Sequence, residues 1–110
     1  MFTTTYHEAR QAFRHQAQAK GAELLSLPIE AGGQRADDGS QLSIDLAFMG
    51  QGPRGLVLSS GLHGIEGYAG SATQRFLLES VLPEDRRIVL IHAINPAGMA
   101  GFRRVNERNV

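Results

Sequence analysis

Cysteine and tryptophan are absent from the 110 residues, and the chain has only four prolines, five phenylalanines and two tyrosines. Without a thiol there is no disulfide framework, no thiolate metal site and no cysteine nucleophile. Any metal would have to be held by His, carboxylate and water ligands, a set that suits zinc as a catalyst better than zinc as a structural staple. A charge excess is also missing: eleven Lys and Arg balance eleven Asp and Glu. Nothing in that balance favours a nucleic acid or an anionic membrane as partner. No apolar run approaches the roughly 20 residues of a membrane span. The opening MFTTTYHEAR has neither the basic start nor the apolar stretch of a secretory signal, so the cytoplasm is the expected compartment.

What is present is an ordinary globular composition, 42% hydrophobic and 20% charged. This length allows one domain with a modest core and is short for an enzyme whose site is assembled from several strand ends. Thr5 with Glu8 three residues on reads as a capping box, and the Ala-, Gln- and Arg-rich stretch from Tyr6 to Lys20, stopped by Gly21, predicts a helix. Its packing face is expected at Ala9, Ala12, Phe13 and Ala17. Ala22 to Ile29 and Leu42 to Met49 are expected strands, the second alternating Leu42, Ile44, Leu46 and Phe48 with Ser43, Asp45 and Ala47. Turn residues at Ala31-Gly32-Gly33 and Asp37-Asp38-Gly39 suggest that the two pair antiparallel.

The second half changes character. Leu56-Val57-Leu58 and Ile88 to Ile94 are continuous apolar runs of the kind that form strands buried on both faces. Between them, Ser71 to Leu82 predicts a helix with Ala72, Phe76 and Leu77 on its packing side, ended by Pro83. Strand, helix, strand is a βαβ unit, so these two strands are expected to be parallel, with a right-handed crossover. The fold class that follows is α/β.

In open α/β sheets ligands bind beyond the carboxyl ends of the strands, where loops converge. Gly61-Leu62-His63-Gly64-Ile65-Glu66-Gly67 follows the first apolar strand, and Asn95-Pro96-Ala97-Gly98 follows the second. An imidazole and a carboxylate three residues apart can bind one zinc ion, although composition alone produces such pairs often. The position of this pair, in a glycine-rich loop directly after a strand, makes His63 and Glu66 the candidate metal ligands. Downstream, Arg103, Arg104, Asn106 and Arg108 are either a solvated surface or an anion or oxyanion site, for which planar guanidinium donors are suited. His92 is expected in the core, and His7 and His15 on the surface of the first helix. Ser59 and Ser60 lack a G-x-S-x-G elbow, which sets serine hydrolysis aside.

Two stretches, SSGLHGIEGYAGSATQ and HAINPAGMAGFRRVNERNV, resemble the first metal motif and the Asn-Pro-x-Gly and Arg-x-Asn segments of the zinc carboxypeptidase family. Together with FTTTYHEARQAF near the start, they are most similar to a bacterial branch of that family labelled only as a domain of unknown function. The resemblance implies a phosphorylase/hydrolase-like fold, with a mixed sheet between helical layers (α/β/α). Residues 1–110 would be the N-terminal portion of that single domain. It further implies Zn2+ held by His63 and Glu66. Arg104, with Arg103 as the nearby alternative, would polarise the scissile carbonyl, and Arg104 and Asn106 would contact the substrate.

The third ligand, a general-base Glu and an Asp-Leu-Asn-Arg-Asn-like carboxylate-binding stretch are expected beyond Val110, and the chain alone is expected to show little or no turnover. The implied activity is hydrolysis of a C-terminal peptide or amide bond in a substrate with a free carboxylate. Its competitors are an aspartoacylase-like deacylase of N-acyl amino acids, a non-catalytic fragment or binding module and, least favoured, a nucleic-acid-binding role for the arginines.

Overall fold

Thr5 begins the first helix because its hydroxyl oxygen accepts a hydrogen bond from the Glu8 amide at 3.2 Å, satisfying one of the donors that a helix start leaves over. The Glu8 carboxylate reaches back to the amide of Thr4, one residue earlier than an ideal capping box. The computed structural model describes residues 2–110. In it, helix α1 runs Tyr6–Ala19 and buries Tyr6, Ala9, Phe13 and Ala17. Ala12, expected on that face, is only half-buried. Tyr6 replaces it at the core end of the stripe, where its hydroxyl donates to the Ser43 carbonyl at 2.6 Å and accepts from the Ser43 amide at 2.9 Å. Burial pushes the pKa of this phenol up to about 12.

Strands β1 (Glu23–Pro28) and β2 (Ser43–Gly50) pair antiparallel, as the turn residues between them suggest. Strand β3 (Arg54–Ser59), helix α2 (Gly67–Glu79) and strand β4 (Arg86–His92) form the expected βαβ unit, with β3 and β4 parallel. The two halves join because β2 pairs antiparallel with β4, giving one mixed four-stranded sheet of order β1-β2-β4-β3. The chain is thus α/β, with β4 in the interior of the sheet and β3 at its edge.

Three local expectations change in the folded chain. Although β3 reads as doubly buried, it is an edge strand, and Leu56 and Val57 are 47% and 61% exposed. Helix α2 starts four residues before the expected Ser71, and it packs through Gly67, Ser71, Gln74 and Leu78. Phe76, expected to pack, is 69% exposed. In β2 the side turned toward the helices is Ser43, Asp45 and Ala47, whereas Ile44, Leu46 and Phe48 point to the opposite side.

These changes share one cause. Helices α1 and α2 lie side by side on a single face of the sheet, tied by Gln16 to Glu79 and Arg75 and by Lys20 to the Ser80 carbonyl. Small residues on that face let the layers approach closely, and Phe13, Ala17, Ala47, Leu78, Ile88 and Leu90 form one core cluster there. A second cluster, including Tyr6, Leu42, Ala93, Ala97 and Met99, lies toward the carboxyl end of β4. Each large apolar side chain so buried contributes roughly 1.5–3 kcal/mol.

Asp45 sits fully buried between these layers, bound by Arg10 through Nε at 2.7 Å and by Arg14 through Nη1 at 3.0 Å. Burial alone would raise its pKa. The hydrogen bonds from Arg10 and Ser26 and the charges of both arginines outweigh that and hold the carboxyl below its ordinary value. The other sheet face carries Leu25, Leu27, Ile44, Leu46, Phe48, Val57, Val89 and Ile91 and has no helix over it among the described residues. Of the α/β/α layers implied by resemblance, residues 2–110 supply the sheet and one helical layer.

Candidate functional site

Parallel strands β3 and β4 end side by side, and the segments leaving them remain hydrogen-bonded for several residues. The amides of Ile94 and Asn95 donate to the carbonyls of Ser60 and Gly61 at 2.8 and 2.9 Å. Gly61 takes φ +73°, the left-handed conformation that turns the chain out of the sheet plane and that glycine adopts at little cost. A single 3₁₀ turn, Gly64–Glu66, then leads directly into α2. Beyond β4, Asn95 caps the short helix α3 (Pro96–Ala100). Its Oδ1 accepts from the Gly98 amide at 2.9 Å, and Pro96 occupies the first helical position, where no amide is needed.

The turn that carries the candidate ligands is pinned by backbone contacts. The Gly64 amide donates to the Arg104 carbonyl at 3.2 Å, and the Ile65 amide to the Arg103 carbonyl at 2.9 Å. Gly64 lies so close to α3 that a Cβ there would run into the carbonyl carbon of Gly98 and the amide nitrogen of Met99. The arginine segment, forty residues downstream, is thereby brought against the His-x-x-Glu turn. Tyr68 supports the same junction, donating to the Met99 carbonyl at 2.7 Å and stacking on Phe102 with ring centroids 5.6 Å apart.

On this frame, His63 and Glu66 face each other, with Nδ1 and Oε2 separated by 3.4 Å. Both side chains are substantially exposed, and neither has another polar partner among the described residues. No third His, Asp or Glu joins them in a metal-ligating group among those residues. Arg103 donates from Nη2 to Asn109 Oδ1 at 2.8 Å, whereas the Arg104 guanidinium has no protein partner among the described residues. Asn106 uses Oδ1 to accept the amides of Arg108 and Val110, at 2.9 and 3.0 Å, which leaves its Nδ2 as a donor. A groove of about 740 Å³ opens between the turn after β1 and the segment after β4, with Glu30, Leu62, Asn95, Asn106 and Arg108 among its walls, whereas His63, Glu66, Arg103 and Arg104 do not line it.

Sequence reasoning overlooked Ser71 and Gln74 among the buried polar residues behind the turn, and gave Ser60 no role beyond its turn. Gln74 and Ser60 join α2 to both strand ends, and Ser71 Oγ lies 2.8 Å from His92 Nε2 in the core. His92 is fully buried, as expected of it, and stacks on Phe13 at 4.7 Å. Its Nδ1 has no hydrogen-bond partner among the described residues, and burial pushes its pKa down to about 4, only partly offset by the charge of Asp45. The signal for these residues was the placement of Ser71 and Gln74 at helical spacing with Gly67 and Leu78, a stripe that apolar periodicity alone passes over.

No helix among the described residues is long and apolar enough to cross a membrane. A comparison with curated proteins gave no match. A comparison with family profiles gave a match over residues 2–110. On that evidence the chain belongs to the family described as "Protein of unknown function (DUF2817)".

Proposed function

We propose that this chain contributes half of the metal site of a zinc-dependent hydrolase of the metallocarboxypeptidase type, with His63 and Glu66 as two of its protein ligands. The observation that carries this reading is the 3.4 Å between His63 Nδ1 and Glu66 Oε2. Two ligands bound to one tetrahedral cation at about 2.1 Å stand roughly 3.4 Å apart, so the separation of this pair is compatible with a shared zinc ion. The backbone hydrogen bonds that pin the turn, and the absence of competing partners for either side chain among the described residues, support the same reading.

Zinc, when bound, supplies a Lewis acid beside the scissile carbonyl. What the chain itself adds is positioning and charge. Arg104, held next to the turn through its carbonyl oxygen, has a guanidinium available to donate to a carbonyl oxygen and to stabilise the negative charge that develops there. Arg103 is engaged by Asn109 and is the weaker candidate. The Nδ2 of Asn106, on the wall of the groove, is a suitable donor to a substrate carboxylate. The substrate class is a peptide or N-acyl amino acid with a free carboxylate, and a third ligand and a general base must come from other residues.

Zinc titration of the chain, with His63→Ala and Glu66→Gln alongside, tests this. We expect one zinc per chain, and at least about tenfold weaker binding in each variant. Equal zinc uptake by wild type and His63→Ala would sink the proposal. In the form that carries the complete site, Arg104→Ala should lower kcat by roughly 10²–10³, the loss typical of an oxyanion donor. A panel of peptides and N-acyl amino acids separates a carboxypeptidase from a deacylase.

A further inference from the structure

Gln74 lies on α2, two turns beyond Gly67, and is 3% exposed. Its Nε2 donates to the carbonyls of Leu58, on β3, and Ile91, on β4, both at 3.0 Å. Its Oε1 accepts from Ser60 Oγ at 2.9 Å, and Ser60 Oγ in turn accepts from the Ala93 amide at 3.1 Å. One amide side chain therefore ties the helix after the ligand turn both to β3, which leads into that turn, and to its parallel neighbour β4.

Two further features concentrate at this clamp. Ala93 is a buried alanine with φ +58°, a left-handed conformation that is unfavourable for a residue with a Cβ. Such strain persists only where surrounding contacts over-determine it, and here the Ser60 hydroxyl holds the strained amide. In addition, α2 lies so near Ser60 that a Cβ on Gly70 would come within 2.7 Å of the Ser60 Cβ. The residues between Ser60 and Gly67 are thus a short loop that leaves one member of the hydrogen-bonded unit, Ser60, and enters α2, the helix that carries the other, Gln74; His63 and Glu66 both lie inside it.

We infer that Gln74 and Ser60 are positioning residues of the candidate metal site: they set the separation of the two ends of the ligand loop, and through it the approach of His63 to Glu66. The inference rests on the reading of His63 and Glu66 as ligands. Its loop-ordering part does not depend on metal, however, and can be measured without it.

The test uses the chain as it stands, with Gln74→Met, which keeps volume and removes the hydrogen bonds, Ser60→Ala, which removes the hydroxyl, and Ser60→Thr, which retains it. Amide hydrogen exchange is followed at Gly64, Ile65 and Glu66, with α1 amides as the internal reference, and Zn2+ affinity is measured by titration. We expect Gln74→Met and Ser60→Ala to speed exchange at the three loop amides at least about tenfold with α1 unchanged, and Ser60→Thr to restore protection. Zinc affinity should fall at least about tenfold in the same two variants and recover in Ser60→Thr, the size of effect expected when supporting contacts of a ligand are lost. Unchanged loop exchange in Gln74→Met, or exchange that rises equally in α1, overturns the inference. If His63→Ala binds zinc as well as wild type, the ligand reading has failed instead, and the loop exchange rates alone decide whether the clamp orders the turn.

Discussion

Gly64 shows at the scale of one residue why the ligand loop is rich in glycine. Its φ is ordinary, so conformational freedom is not the reason; space is. A Cβ there would sit 2.5 Å from the Arg103 carbonyl oxygen and clash with the backbone of Gly98 and Met99, none of which is the far end of a flexible side chain. Gly64→Ala should therefore push α3 and the arginine segment away from the turn and cost roughly 1–3 kcal/mol, measured by urea unfolding. Stability unchanged within about 0.5 kcal/mol would mean that α3 sits less tightly on the turn than described here.

At the scale of elements, His92 is where α1, α2 and β4 meet, through Phe13, Ser71 and its own strand. Its pKa in the folded chain, pushed down to about 4 by burial, lies below the ordinary value of about 6.5, so the unfolded chain takes up this proton first as the pH falls. The associated stability is complete above about pH 6.5 and is lost progressively toward pH 4, by up to about 3 kcal/mol. Asp45, whose carboxyl is also held below its ordinary value, adds a loss at still lower pH, through the carboxylate range. Thermal unfolding of wild type and His92→Gln at pH 7.5, 6 and 5 distinguishes the two contributions. The glutamine variant should lose much less between pH 7.5 and 5, and parallel losses would remove His92 as the cause.

For the molecule as a whole, the dominant feature is a sheet that, among the described residues, is covered on one side. Leu25, Leu27, Phe48 and Val57 are between 37% and 61% exposed on the uncovered face. Adjacent apolar side chains of that extent make a continuous patch, larger than the scattered apolar residues normal on a protein surface. The isolated 110-residue chain should bind a hydrophobic dye and associate at high concentration. Leu25→Lys with Val57→Lys should suppress both while changing stability by less than about 0.5 kcal/mol for each substitution, since neither side chain is in the core. Light scattering that does not change in the double variant would show that association proceeds through another surface.

Much of the architecture was legible from local pattern, because each signal acts over a few residues. Thr5 and Gly21 delimit α1, the turn residues around Gly39 join an antiparallel pair, and the two apolar runs flanking a helical stretch give the parallel βαβ unit. His63 and Glu66 were recognisable as a pair because their spacing and their place after a strand are properties of the chain itself. What pattern could not supply was which elements meet. An apolar run is the same string whether its strand lies inside a sheet or at its edge, so Val57 and Phe76 read as core until the order β1-β2-β4-β3 and the single helical layer left them exposed. The junction of Gly64 with Arg103 and Arg104, and the clamp of Gln74 on two strand ends, join residues 14 to 40 positions apart in the chain. Such contacts depend on the relative placement of whole elements, which only the tertiary structure decides.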